Sequence, residues 1–170
     1  MNNFRSFRAA FSAAFILLGA TLLQAQQTVQ TWLMLNPSSQ ETFFVTDPAE
    51  QSRLSKTGWR INGTALLLTT AQPDSVGMER LVKGAAFGAD RIFAISPAQA
   101  AVAVKAGYTS EGVLGQAAAT QLTPRLVPVY RFIKDSRNLW LIDLADRPWA
   151  EKSGWKLNGV AFWLWPKAGS

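Results

Sequence analysis

The sequence predicts an α+β, β-rich fold. Three pseudo-repeats of strand, strand, short helix and strand are expected to pack around a pseudo-threefold axis, in a propeller-like or trefoil-like arrangement. Three observations predict it. The pattern Gly-aromatic-x-x-(Asn/Glu)-Gly occurs at Gly58-Trp59-Arg60-Ile61-Asn62-Gly63, at Gly107-Tyr108-Thr109-Ser110-Glu111-Gly112 and at Gly154-Trp155-Lys156-Leu157-Asn158-Gly159, offset by 49 and 47 residues. Phe44, Phe93 and Trp140 keep those offsets, each 14 residues before the first Gly, and so do Asp47, Ser96 and Asp143, each 11 before it. A unit of this size cannot bury its own apolar face, so three of them should share one core.

In chain order, the first element expected is a leader. Residues 1–8 carry Arg5 and Arg8 and no acid, about 15 apolar residues follow from Ala9 to Leu23, and Ala25 offers a small-residue cut site. That order reads as a secretory signal peptide over 1–25. The apolar run falls short of the roughly 20 residues that span a bilayer, so no stable membrane span is expected after cleavage. The remainder, 26–170, reads as a single domain with units at about 31–71, 78–117 and 127–166. Without Arg5 and Arg8 it holds 15 basic and 11 acidic residues, scattered, with no basic run of the kind that marks a nucleic-acid surface. Cysteine is absent, and a chain of this length does not require disulfides.

Within each unit the first strand is expected at Trp32–Leu35, near Glu79–Lys83 and at Val129–Ile133. The second, rich in Phe, Trp, Ile and Val, falls at Thr42–Thr46, Arg91–Ile95 and Leu139–Ile142. Asp47-Pro48-Ala49-Glu50 and Ser96-Pro97-Ala98-Gln99 are helix starts: a capping side chain, Pro at the first helical position, and an acid or amide at the third. Gly58, Gly107 and Gly154 are the stops, where a left-handed residue is wanted. Pro148 should delay the third helix, with Asp146 as its cap or with a loose turn at its start. The second Gly of each pattern suggests a bulge or kink leading into the third strand, at Thr64–Leu68, Val113–Ala117 or Val160–Trp165. The last of these is apolar on both faces, which predicts a central strand or one that covers a partner.

These residues resemble a family of secreted bacterial repeats of unknown function whose unit reads P-V-Y-R-x-Y, H-F-Y-T, a helix, then G-Y/W-x-x-E-G-x-A-F-Y. The match is close at Pro128-Val129-Tyr130-Arg131-Phe132 and from Gly154-Trp155 through Gly159-Val160-Ala161-Phe162-Trp163. It is partial at Thr42-Phe43-Phe44-Val45-Thr46 and at Gly107-Tyr108 with Glu111-Gly112. The resemblance spans nearly the whole of 26–170. It implies an exported threefold repeat domain, of a kind often attached to hydrolases of cell walls or polysaccharides, with carbohydrate or surface binding as the usual assignment. The family's His is replaced here by Thr42, Arg91 and Leu139, so any binding through that imidazole is lost.

Lack of His and Cys excludes a Ser-His-Asp triad, a thiol nucleophile and imidazole or thiolate metal sites. The carboxylate pairs Asp47/Glu50 and Asp143/Asp146 sit at helix starts, where capping accounts for them. The short matches Lys56-Thr57-Gly58 and Ser153-Gly154-Trp155-Lys156 fall in equivalent helix stops and in the wrong order for a serine β-lactamase. No cofactor and no metal are expected. What remains are aromatics. Trp59, Tyr108 and Trp155 are equivalent by register and could stack on three sugar rings with a gain from avidity, against the alternative that they pack in the core. Trp149, Trp163 and Trp165 have no aromatic counterpart and are candidates for an interaction patch. The expectation is therefore a secreted, periplasmic or extracellular, non-enzymatic module that binds an envelope or extracellular glycan or another macromolecule. The alternatives are a structural or protein-interaction domain and, third, a carboxylate-based glycan hydrolase.

Overall fold

A computed structural model describes residues 27–84 and 89–167; the expected leader, 1–25, lies outside them. Among the described residues, nine antiparallel strands form one sheet, with three short helices and one 3-10 turn. In chain order the elements are β1 (Thr28–Asn36), β2 (Glu41–Val45), α1 (Pro48–Lys56), β3 (Arg60–Leu68), β4 (Ser75–Lys83), β5 (Asp90–Ala94), α2 (Pro97–Lys105), β6 (Thr109–Ala118), β7 (Val127–Lys134), β8 (Arg137–Leu141), the 3-10 turn (Leu144–Asp146), α3 (Arg147–Lys152) and β9 (Lys156–Leu164). Three times a hairpin is followed by a helix and a third strand that returns along the hairpin's first strand: β1 with β2 and β3, β4 with β5 and β6, β7 with β8 and β9.

Local chemistry sets the boundaries. Asp47 Oδ1 accepts from Ala49 N–H at 2.9 Å, and Ser96 Oγ accepts from Gln99 N–H at 3.2 Å, so both expected caps are made. The third helix starts late, as Pro148 requires, but Asp146 makes no cap. Asp143 caps the 3-10 turn through Ala145 N–H at 2.8 Å, and the Asp146 carboxylate is used elsewhere. All three helices end alike. Gly58, Gly107 and Gly154 have φ of +91, +89 and +86. The following aromatic's N–H reaches back to Leu54, Ala103 or Ala150 O at 3.2, 3.1 and 3.0 Å, the six-residue closure of a Schellman stop. Lys83 and Lys134 Nζ each donate to a carbonyl at such a stop, Ala106 O and Ser153 O, at 2.7 Å.

The core lies where the hairpins meet. Phe44, Phe93 and Trp140 are buried, with Phe44–Phe93 and Phe93–Trp140 centroids 5.3 and 5.1 Å apart, edge to face. Phe162 of β9 lies 6.0–6.2 Å from all three rings. Beside them, polar links join the second strands of different hairpins. Trp140 N–H donates to Thr42 Oγ1 at 2.6 Å, Arg91 Nη1 pairs with Glu41 Oε1 at 2.5 Å, and Asn138 N–H donates to Asp90 Oδ1 at 3.0 Å. The ladders place Thr42 opposite Leu35, Arg91 opposite Val82 and Asn138 opposite Ile133. The third member of the position assigned by resemblance to Thr42, Arg91 and Leu139 is therefore Asn138. Leu139 is one residue out of register, and in a strand one residue inverts the face.

The third strands join the sets. Leu68 pairs with Gln116 and Ala118 with Trp163, and Leu66 and Trp165 exchange two backbone bonds of 2.8 and 3.0 Å. Gly115 is demanded by this approach: a Cβ there would lie 2.8 Å from Leu67 Cβ and 2.9 Å from Leu68 O. The expected central strand, Val160–Trp165, matches β9, which lies between β6 and β7 and buries Phe162 and Leu164.

Two substitutions separate these contributions. Gly58→Ala puts a Cβ into open space, so its cost is backbone strain alone, about 1–2 kcal/mol. Phe162→Ala removes the ring that touches all three hairpins and should cost about 3–5 kcal/mol. Urea unfolding of the two variants should rank them in that order.

Candidate functional site

The bulges decide which polar side chains face a helix. Asn62 is the extra residue opposite the Leu33–Met34 step, Glu111 opposite Arg80–Leu81 and Asn158 opposite Arg131–Phe132. A bulge bends its strand and re-aims the side chain it carries. The expected kink is thus a bulge inside each third strand, since β3, β6 and β9 begin before it. Three helix-start residues, Glu50, Gln99 and Asp146, hold the 49 and 47 residue offsets among themselves. Leu33, Arg80 and Arg131 hold one ladder position, each opposite the aromatic of its second strand, Phe44, Phe93 or Trp140, and the second Gly of its third strand.

Three junctions result, and they differ. In the first, Arg80 is buried and forks onto Glu50, Nη1 to Oε2 and Nη2 to Oε1, both 3.2 Å. Its Nη1 also donates to Phe44 O at 3.0 Å. Arg80 Nε lies 2.9 Å from Glu111 Oε2 but out of line for a hydrogen bond, so that contact is an ion pair. Arg91 shares Glu111 at 3.3 Å and reaches Glu41 with its other end. The Phe43 ring lies under both guanidinium groups, at 5.5 and 4.2 Å. In a second junction no Arg is present: Leu33 takes the position, and Asn62 Nδ2 donates directly to Asp146 Oδ2 at 2.9 Å.

The remaining junction is open. It is a cleft of about 670 Å³ between α2 and β9, within the roughly 300–1,000 Å³ usual for small-ligand sites. The buried rings of Phe93, Trp140 and Phe162 lie beneath it, Tyr108, Val102 and Val160 supply its accessible apolar surface, and Gln99, Arg131 and Asn158 its polar lining. Arg131 Nε donates to Asn138 Oδ1 at 2.7 Å, and the guanidinium carbon is 5.9 Å from the Trp140 centroid. Asn138 Nδ2 in turn donates to both Asp90 oxygens, at 3.1 and 3.0 Å.

Of the aromatics expected to bind, Trp59 is 5% exposed and packs edge-on against Phe43, 4.9 Å between centroids. Trp155 is 3% exposed, packs with Phe132, Leu139, Leu141 and Ala150, and its Nε1 donates to Gln40 Oε1 at 3.1 Å. Neither ring presents a face to a ligand, so three equivalent stacking platforms are not formed. The reason is the Schellman stop, which turns the residue after the Gly beneath its own helix. Tyr108 is half-buried and lines the cleft. Trp149 on α3 is 36% exposed, and Trp163 and Trp165 are half-buried at the meeting of the third strands. The carboxylates considered for hydrolysis are engaged: Asp47 and Asp143 as caps, Glu50 by Arg80 and Asp146 by Asn62.

Sequence reasoning missed Gln99, Arg131, Asn138 and Asn158 as a group. One signal was legible: Glu50 becomes Gln99 and Glu111 becomes Asn158 at fixed offsets. The arginine was hidden because the first strands are spaced differently, Leu33, Arg80 and Arg131 being 47 and 51 residues apart. Only the ladder register aligns them.

Tyr108 O–H donates to Asp90. Its phenol pKa is raised above the ordinary 10.0, first by burial and then by the hydrogen bond to Asp90 and that residue's negative charge. The folded state is favoured while this phenol is neutral in both states, so the contribution is complete below pH 10 and is lost as the pH rises through the folded value. Ultraviolet titration should show a late phenolate component that Tyr108→Phe abolishes.

No curated protein and no solved structure matches the chain. A family model described as "Domain of unknown function (DUF5648)" matches residues 25–165. The chain therefore belongs to the DUF5648 family.

Proposed function

We propose that this chain is an exported, non-enzymatic binding module whose ligand is a glycan held in the cleft between α2 and β9. One observation carries the reading: the accessible apolar surface of Tyr108, Val102 and Val160 lines one cleft together with Arg, Asn and Gln side chains. A sugar needs that pairing of apolar surface and planar polar donors. Export rests on the basic, apolar, small-residue order of 1–25. The absence of His and Cys and the engagement of the paired carboxylates support a binding role over catalysis.

The architecture in this reading is three pseudo-repeats around a pseudo-threefold axis near Phe162. Supporting it are three sets of pairings in the same order, the matching helix stops and the links among β3, β6 and β9. Function then follows from divergence among the repeats, with one junction kept open and two closed by the chain's own side chains.

A protein-interaction role is the second reading, favoured by Val102 and Val104, which stand exposed on α2. A sharp monomer peak in size-exclusion chromatography would count against self-association through them. For the glycan reading, the chain should be retained on at least one glycan of an array. Val102→Trp adds bulk at the rim, at a residue 68% exposed, and should cut that retention at least about tenfold with the fold intact by circular dichroism. No retention on any glycan overturns the glycan reading.

A further inference from the structure

The three junctions show what an arginine at this ladder position requires. Arg80 is satisfied from within: Glu50 of the neighbouring helix takes both Nη groups, and Glu111 of the bulge lies against Nε. Arg131 occupies the same ladder position, opposite Trp140 and Gly159 as Arg80 is opposite Phe93 and Gly112. Its two corresponding neighbours are Gln99 and Asn158, amides in place of acids. Among the described residues no carboxylate pairs with Arg131, and its hydrogen bond is through Nε alone. Among the described residues neither Nη group has a hydrogen-bond partner, and Arg131 lines a cleft of about 670 Å³. A guanidinium fork is matched by a carboxylate, which it binds through two parallel N–H···O bonds. Gln99 Oε1 already accepts from Ile95 N–H at 2.8 Å, so Gln99 offers its Nε2 donors and Asn158 a donor and an acceptor, neither of which neutralises the Arg in advance. Asp90 is held by Asn138 and the Tyr108 hydroxyl and is not among the residues that line the cleft.

We infer that the cleft binds a ligand through a carboxylate seated on the Arg131 Nη groups between Gln99 and Asn158, in the place that the Glu50 carboxylate takes on Arg80. Joined to the glycan reading, on which this identification of the ligand rests, the ligand is an acidic saccharide with a uronate group.

Calorimetry with three probes tests it: a galacturonate trisaccharide, a neutral trisaccharide of glucose, and succinate. The galacturonate trisaccharide should bind, and the neutral one at least about tenfold more weakly. Arg131→Gln should weaken the acidic ligand by on the order of 10- to 100-fold, the range for charge-assisted hydrogen bonds. The decisive variant keeps Arg131. Gln99→Glu with Asn158→Glu rebuilds the Arg80 arrangement, so the chain should satisfy its own arginine and lose the acidic ligand by a similar factor while its thermal midpoint does not fall. Equal binding of both trisaccharides, unmoved by Arg131→Gln, overturns the carboxylate inference and leaves the glycan reading standing. Binding of succinate as tight as that of galacturonate, lost in the double variant, supports the carboxylate inference and removes the sugar. Undiminished acidic binding by the double variant, or no binding of either acid by the folded chain, overturns the inference.

Discussion

Phe44, Phe93 and Trp140 are contributed by three separate hairpins, and Phe162 touches all three. Each hairpin alone is a two-stranded ribbon with one apolar side, too small to be stable in water. Burying that side requires the other two, so this contact among rings is what the remaining structure depends on. The ring edges and faces also fix the relative rotation of the hairpins, because tilted and edge-on contacts are better than random stacking. The polar links from Thr42, Arg91 and Asn138 then hold the register around them. Each joins two hairpins.

With the hairpins fixed, each bulge faces the first turn of another set's helix, and the chain settles each meeting differently. One is an ion network of two arginines and three carboxylates over the Phe43 ring. One is a single amide–carboxylate hydrogen bond. The third retains the arginine and drops both acids. The energetic asymmetry is direct: a buried or half-buried cation left without its partner is costly, whereas one held at a cleft can be satisfied by solvent or a ligand. Arg131 is half-buried and Arg80 is buried, in keeping with that difference.

Much of the local fold was legible. The cap at Asp47, the cap at Ser96, the delayed third helix and the three helix stops each follow from two or three neighbouring residues, because caps and left-handed turns are local hydrogen-bond problems. Asp146 failed as a cap because Asn62, 84 residues away, offers its carboxylate a better partner. Trp59 and Trp155 were candidates for exposure because a repeated aromatic serves core and surface equally well in sequence. The helix stop, which turns them inward, decides between the two.

The sequence by itself determined the element order, the helix ends, the three in-register aromatics and the substitution of amides for acids at Gln99 and Asn158. All of these are set by short-range spacing. Tertiary structure alone decided that Arg80 and Arg131 are counterparts and that Asn138, not Leu139, stands with Thr42 and Arg91. It also decided that the meeting of α2 with the β9 bulge is an open cleft. Strand pairing is the reason. Hairpin connections of unequal length shift the first strands against the sequence period, and bulges add residues to the third. Which side chains converge is then fixed by the ladder, where no count along the chain can reach it.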